Sequence, residues 1–259
     1  MQFQPGFPIG MKKEGLGFVL SHDCFDKGTE IRKLDSIRES LRDPACDGPE
    51  DVYAIMMDVG LKKDRPAMEA RMLLFGVVAY AAGRLGEEPI RSQGHIHKVS
   101  AHCGWSTPEV YEIWNGEAVI YMQQTADDAP GDCYAVHARA GDVVVVPPYW
   151  AHATVSANAN QPLVFGAWCD RDYGFEYDGV RRHHGIAWFP LLNPDGTLRW
   201  EKNPSYRTEK LICKKPAEYS RLGIQPGTPI YSQFQQEPDR FLFVSNPALK
   251  KDAWEHFVP

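Results

Sequence analysis

Ile31, Leu34, Ile37 and Leu41 recur at helical spacing and Asp43-Pro44 ends the run, so the pattern predicts one amphipathic helix near the N-terminus. From about Val52 the period changes. DVYAIMMDV and MLLFGVVAYAAG are rich in β-branched and aromatic residues and are bounded by Gly, Pro and charges, as strands are. In VYEIW-NG-EAVIYMQQ, Asn115-Gly116 separates two strand-like runs and predicts a tight hairpin of the kind that needs positive φ angles. CYAVHARA, a turn at Gly141-Asp142, and VVVVP follow; HATVS and LVFGAWC are separated by the polar NANQ. IAWFPLL-NPDG-TLRW predicts a second hairpin. Many short strands with regular turn signals argue for an all-β fold, an antiparallel sandwich or small barrel.

After about Asn203 the alternation loosens. PAEYSRLG predicts a short helix closed by Gly223, and PALKKDAWEHF a terminal one. With no internal repeat and no low-complexity linker, residues 1–259 are expected to form one domain. Its barrel core would lie at about 50–203, with 204–259 as an extension packed on it, a lid or a dimer arm.

The formal charge of -6 and the lack of a basic stripe exclude a dedicated nucleic-acid binder, so an anionic substrate would have to be met by a local patch. Six scattered cysteines with no CxxC pair make a disulfide scaffold unexpected. The N-terminal MQFQPGFPIGMKKEG lacks the apolar run of a signal peptide, and the stretch from Met72 to Ala82 is too short to span a bilayer. The expectation is a reduced, cytoplasmic protein with no membrane partner.

The chemistry concentrates in His95, His97, Glu109 and His152. On a strand, positions i and i+2 share a face, so both imidazoles of the HIH segment can converge on one point. Glu109 opens the next strand, and His152 follows GDVVVVPPYWAH. Three imidazoles and a carboxylate suit Fe(II), Mn, Ni, Cu or Zn, with positions left for water or substrate. An isolated HxH is commonly two satisfied histidines. Here GHIH is followed by Glu109, by Gly116, by Gly141 with Pro147, and by His152, and that order resembles the two-part cupin signature. The resemblance implies a small jelly-roll-like barrel holding one metal.

GHIH with PEVYEIWNGEAVIYMQ, AGDVVVVPPYWAH and the DYG of Asp172 to Gly174 is more specifically similar to the cupin-type phosphoglucose isomerases, over roughly Ile31 to Tyr206. That resemblance implies a homodimer with one divalent metal per chain (Fe2+ first, with Mn2+, Ni2+ or Zn2+ as alternatives). It also implies interconversion of glucose 6-phosphate and fructose 6-phosphate in glycolysis and gluconeogenesis. By motif position His95, His97, Glu109 and His152 are the metal ligands. Glu109 would be the base of a proton-transfer route and Tyr111 or Tyr149 the proton donor; a direct hydride shift is the alternative route. Tyr53 and Tyr173 would line the substrate pocket, and the phosphate would lie against Ser92 to Gly94.

The chain departs from the family pattern in three places. Eleven residues, KVSAHCGWSTP, separate His97 from Glu109, an enlarged loop that brings His102 and Cys103 near the metal as extra ligands or lid residues. Arg171 stands where a histidine usually precedes Asp-Tyr-Gly, and could hold a phosphate. Val77 occupies the position of a phosphate-binding threonine. His183 and His184, adjacent in sequence, are read as non-ligands. Other readings are an isomerase for another sugar phosphate, a cupin dioxygenase or lyase, and a non-catalytic sugar-binding cupin; PPYWAH, EVY and DYG tell against the dioxygenase or lyase.

Overall fold

The near-continuous apolar runs need cover on both faces, and a computed structural model describing residues 3–207 and 210–259 shows how they get it. Twelve strands carry the argument: β1 Glu30–Lys33, β2 Asp51–Met56, β3 Leu73–Tyr80, β4 Glu109–Asn115, β5 Glu117–Gln123, β6 Cys133–Arg139, β7 Val143–Val146, β8 Ala151–Ser156, β9 Leu163–Asp170, β10 Trp188–Leu192, β11 Leu198–Lys202 and β12 Leu211–Lys214. A six-stranded sheet runs β7-β4-β9-β3-β2-β1 and a four-stranded sheet runs β8-β5-β6-β12. Neighbours within these sheets are antiparallel except β6 and β12. Inner-face residues of both sheets, among them Tyr80, Tyr111, Phe165, Ile120 and Val136, share one buried cluster. This is the two-sheet cupin architecture.

The outer face of the larger sheet is also buried. Phe75, Val77, Val110, Trp114 and Trp168 pack with Phe7 from the N-terminal segment and with Tyr231, Phe234, Phe241 and Phe243 from the C-terminal one. The C-terminal segment is anchored by polar contacts too: Trp168 Nε1 donates to Ile230 O at 3.2 Å, and Ile230 N donates to Glu112 Oε1 at 2.9 Å. Residues 204–259 therefore contribute aromatic bulk to the sheet's second face.

Asn115-Gly116 is a corner, and β4 and β5 do not pair. β4 bonds to β7 and β9, whereas β5 bonds to β6 and β8, so the turn carries the chain from one sheet to the other. Gly116 has φ +76°, and a Cβ there would lie 2.9 Å from Pro162 O. The predicted hairpin of β10 and β11 does form.

The N-terminal helix is realised differently from the periodicity. Ile31 lies in edge strand β1, and 34–36 and 38–40 are separate 3-10 turns that bury Leu34, Ile37 and Leu41. Short polar side chains compete with an α-helical ladder here: Ser36 Oγ donates to Lys33 O and Ser40 Oγ to Ile37 O. Near the C-terminus, Ser220–Leu222 is a 3-10 turn closed by Gly223 at φ +82°, and a short helix covers Lys251–Glu255. Cys24, Cys46, Cys103, Cys169 and Cys213 are free thiols. Among the described residues no helix is long and apolar enough to cross a membrane.

Candidate metal centre

Three stretches of backbone bring the four predicted ligands together. The segment before His95 runs along β8, with Ser92 N bonded to Thr154 O and with His95 and His152 exchanging both backbone hydrogen bonds, at 3.1 and 2.9 Å. Gly94 sits at φ +90°, and a Cβ there would meet Ile186 Cγ2 at 2.9 Å, so this bend before the first histidine requires glycine. The His95 and His97 rings are nearly parallel, at 20° and 5.3 Å between centroids, which is the same-face arrangement expected of the HIH segment. Glu109 projects from the first residue of β4 and His152 from the second of β8.

One nitrogen of each imidazole and a Glu109 oxygen lie within 4.8 Å of one another. His97 Nδ1 is 2.9 Å from Thr107 O and His152 Nδ1 is 3.1 Å from Trp150 O. Each backbone carbonyl selects the tautomer that leaves Nε2 as the free lone pair, the usual orienting contact for a metal-bound histidine. The Nε2 atoms of His95, His97 and His152 are all buried without a hydrogen-bond partner, although Glu109 Oε2 lies 3.3 Å from that of His97 and 3.4 Å from that of His152. Three orphaned buried nitrogens beside a carboxylate would be costly unless a cation completed them. The donor set therefore fits a divalent metal.

Protonation agrees with that fit. Burial, and then the neighbouring imidazoles His152 and His97, hold His95 well below its ordinary range; burial also lowers His152. Burial opposes the charge on Glu109, but the His152 and His97 imidazoles beside it outweigh that and hold its carboxyl well below the usual range. Tyr111 is pushed up by burial and by the Glu109 charge, so its phenol remains a donor, and its hydroxyl donates to Glu109 Oε2 at 2.7 Å. Cys169 is raised for the same reasons, and its thiol donates to Glu109 Oε1 at 3.3 Å. Cys169 was not singled out in the sequence; only the register of β9 against β4 shows that it faces Glu109.

His95, Glu109 and Tyr111 form one wall of a cavity of ≈ 120 Å³ that also reaches Arg32, Tyr53, Val78, Ser92 and Tyr173. That is below the ~300 Å³ at which ligand pockets usually begin, so a hexose-sized ligand enters only if the mouth opens. Tyr173, 43% exposed, is a loosely packed wall residue there. Ser92 Oγ accepts from Thr154 N at 3.0 Å, which holds the hydroxyl at the cavity side of β8.

Other predicted site residues lie elsewhere. Arg171 points away from the cavity, where it forms a two-pronged ion pair with buried Asp58 at 2.8 and 2.7 Å and donates to Leu73 O. Tyr149, at φ +71°, turns its half-exposed ring toward Trp105 and borders a separate outer cleft. Val77 faces the outer aromatic core, and its neighbour Val78 faces the cavity, because successive strand residues alternate. His102 and Cys103 are not in the ligand cluster; the enlarged loop is tied by Ser100 Oγ and His102 N to Asp172. His183 stacks on Tyr206 at 4.0 Å with Nδ1 on Ser205 O, away from the centre.

A buried cluster of three histidines and a glutamate between two antiparallel sheets defines the molecule as a cupin with a candidate single-metal centre. The chain belongs to the glucose-6-phosphate isomerase (GPI) family, whose model matches residues 37–209 and so includes all four cluster residues. Among its relatives, the putative glucose-6-phosphate isomerase 1 of Rhizobium meliloti (strain 1021) is 29% identical over 55% of this chain and 62% of that protein. The glucose-6-phosphate isomerase of Pyrococcus furiosus is 28% identical over 52% of this chain and 65% of its own length. The chain thus spans somewhat under two thirds of these relatives. An oxalate oxidase structure overlaps 48% of the chain and 53% of its own, at 17% identity and a TM-score of 0.34.

Proposed function

We propose that the chain is a metal-dependent aldose–ketose isomerase that interconverts glucose 6-phosphate and fructose 6-phosphate. The observation that carries this reading is that the family-matched segment brings His95, His97, Glu109 and His152 to one buried point on the wall of a cavity. Those four residues would hold the metal, with Fe2+ the first choice. When bound, the metal supplies Lewis acidity toward the sugar's carbonyl and adjacent hydroxyl oxygens.

The rest of the chemistry belongs to the chain. Tyr111, kept protonated by burial beside Glu109, is the hydroxyl best placed to donate to a sugar oxygen. Tyr149 lies outside the cavity lining, so Tyr111 is preferred over it as donor. In a proton-transfer route Glu109 takes the proton from carbon 2 and returns it to carbon 1. Oε1 is the oxygen for that step, because Oε2 is already turned to Tyr111, His97 and His152, whereas Oε1 takes only the weak thiol contact of Cys169. The buried walls around His95 and Tyr111 exclude water from the reacting end.

The test is formation of glucose 6-phosphate from fructose 6-phosphate, measured by a coupled assay on protein stripped with chelator and reloaded separately with Fe2+, Mn2+, Ni2+ and Zn2+. Turnover that appears only on reloading supports the reading and ranks the metals. Folded, metal-loaded protein that turns over with none of them rejects this substrate pair.

A further inference from the structure

Arg32 combines three observations that the metal chemistry does not use. It lines the same cavity as His95 and Glu109, and among the described lining residues it carries the only fixed positive charge. Its Nε is buried with no hydrogen-bond partner. Its Nη2 is held at 2.8 Å by Glu30 Oε1, and the Glu30 side chain is 62% exposed, so that counter-ion can be displaced into water.

Arg32 lies on the edge strand of the sheet that carries Glu109. β4, which carries Glu109, is separated from β1 by β9, β3 and β2. Both residues nonetheless line the one cavity. A phosphorylated hexose has the same two-ended character, with its carbonyl carbons at one end and a dianion at the other. We propose that Arg32 is the anion anchor of this site, holding the phosphate while the carbonyl end faces Glu109 and Tyr111. The ligand class rests on the phosphosugar reading above; the assignment of Arg32 rests on the cavity.

The competing place for an anion is the outer cleft of ≈ 580 Å³ that contains Lys98 and Arg182. That cleft also contains Asp127, Glu176 and Asp178, three carboxylates against two cations, whereas the cavity's two carboxylates are Glu109, which belongs to the metal cluster, and Glu30, which is exposed and displaceable. A planar guanidinium with an open Nε–H can meet two phosphate oxygens at once.

The experiment is calorimetric binding of a non-reactive hexitol 6-phosphate and of the unphosphorylated hexitol to metal-loaded protein. Arg32→Ala is expected to weaken the phosphorylated probe by about 10- to 100-fold, as loss of a charge-assisted hydrogen bond does, and to leave the unphosphorylated one within about twofold. Glu30→Gln is expected to tighten the phosphorylated probe, and Arg182→Ala to leave it unchanged. Arg32→Gln, closer in shape, repeats the comparison if the alanine variant folds poorly. Unchanged affinity in both Arg32 variants, equal losses for both probes, a loss confined to Arg182→Ala, or no binding by the parent protein overturns the proposal. Because the readout is binding, a parent that binds the probe through Arg32 but shows no turnover would sink the isomerase reading and leave this one standing.

Discussion

Replacing Arg171 with alanine separates two roles that the sequence cannot distinguish, phosphate contact and structural ion pair. In the structure Arg171 makes two bonds to Asp58 at 2.8 and 2.7 Å and a third to Leu73 O at 2.9 Å. Asp58 is 1% exposed. Breaking a buried pair from one side costs about 3–5 kcal/mol because a charge is left without its partner. Lys27, 3.0 Å from Asp58 and 61% exposed, remains as a weaker partner, and the Arg171 side chain is itself 17% exposed. These place the expected loss at the low end, about 2–3 kcal/mol, or a fall in Tm of about 5–10 °C for a chain of this size. Burial raises the Asp58 carboxyl, but Arg171 and Lys27 outweigh it and hold the group below its ordinary range. A carboxyl depressed in the folded state contributes stability that is complete above its unfolded value and lost as pH falls through its folded value. The deficit of Arg171→Ala should therefore be full at neutral pH and shrink in acid. The assay is urea unfolding followed by tryptophan fluorescence, with KM measured alongside. Adding Asp58→Asn to Arg171→Ala should recover part of the loss, since the orphaned charge is removed. Unchanged stability together with a raised KM would refute this reasoning and return Arg171 to the substrate.

His152→Ala should lose most bound metal and activity while the fold survives, because His152 N and O stay bonded to His95 through the backbone; metal content by plasma emission and far-UV circular dichroism check both halves, and full activity would remove His152 from the ligand set. Glu112, fully buried against the C-terminal segment, is pushed up to about 8 by burial, against lowering hydrogen bonds from Trp114 and Ile230. A carboxyl raised in the folded state contributes stability that is complete below its unfolded value and lost as pH rises, here between about 4.5 and about 8. Glu112→Gln should flatten that part of the stability profile, by about 1.4 kcal/mol per pH unit at most, and superimposable pH slopes for parent and variant in urea unfolding would contradict the assignment.

Most of the site was legible in the sequence because its signals are local. Two histidines one residue apart share a strand face whatever the sheet order, and the spacing of Gly116, Gly141 and Pro147 around Glu109 and His152 identifies the turns that bring the strands together. The strands themselves follow from period and turn chemistry. Asn115-Gly116 shows the boundary of that reading: the residues specify a turn, but whether the two strands pair or part into separate sheets depends on what each meets, and Pro162 and β9 claim the position opposite.

The surroundings of Arg171, Tyr149, Val77, Cys169 and Arg32 were set by the tertiary structure alone. Each depends on a long-range pairing: Asp58 for Arg171, Trp105 for Tyr149, the aromatic outer core for Val77, Glu109 for Cys169, and the cavity shared across the sheet for Arg32. A shift of one residue in strand register exchanges the inner face for the outer, which is how Val78 rather than Val77 meets the cavity. By itself the sequence determined which residues could bind a metal and that they would sit on strands. Only the tertiary structure decided which side chains surround them, because facing and register are properties of how strands are paired and covered, and those contacts join residues far apart in the chain.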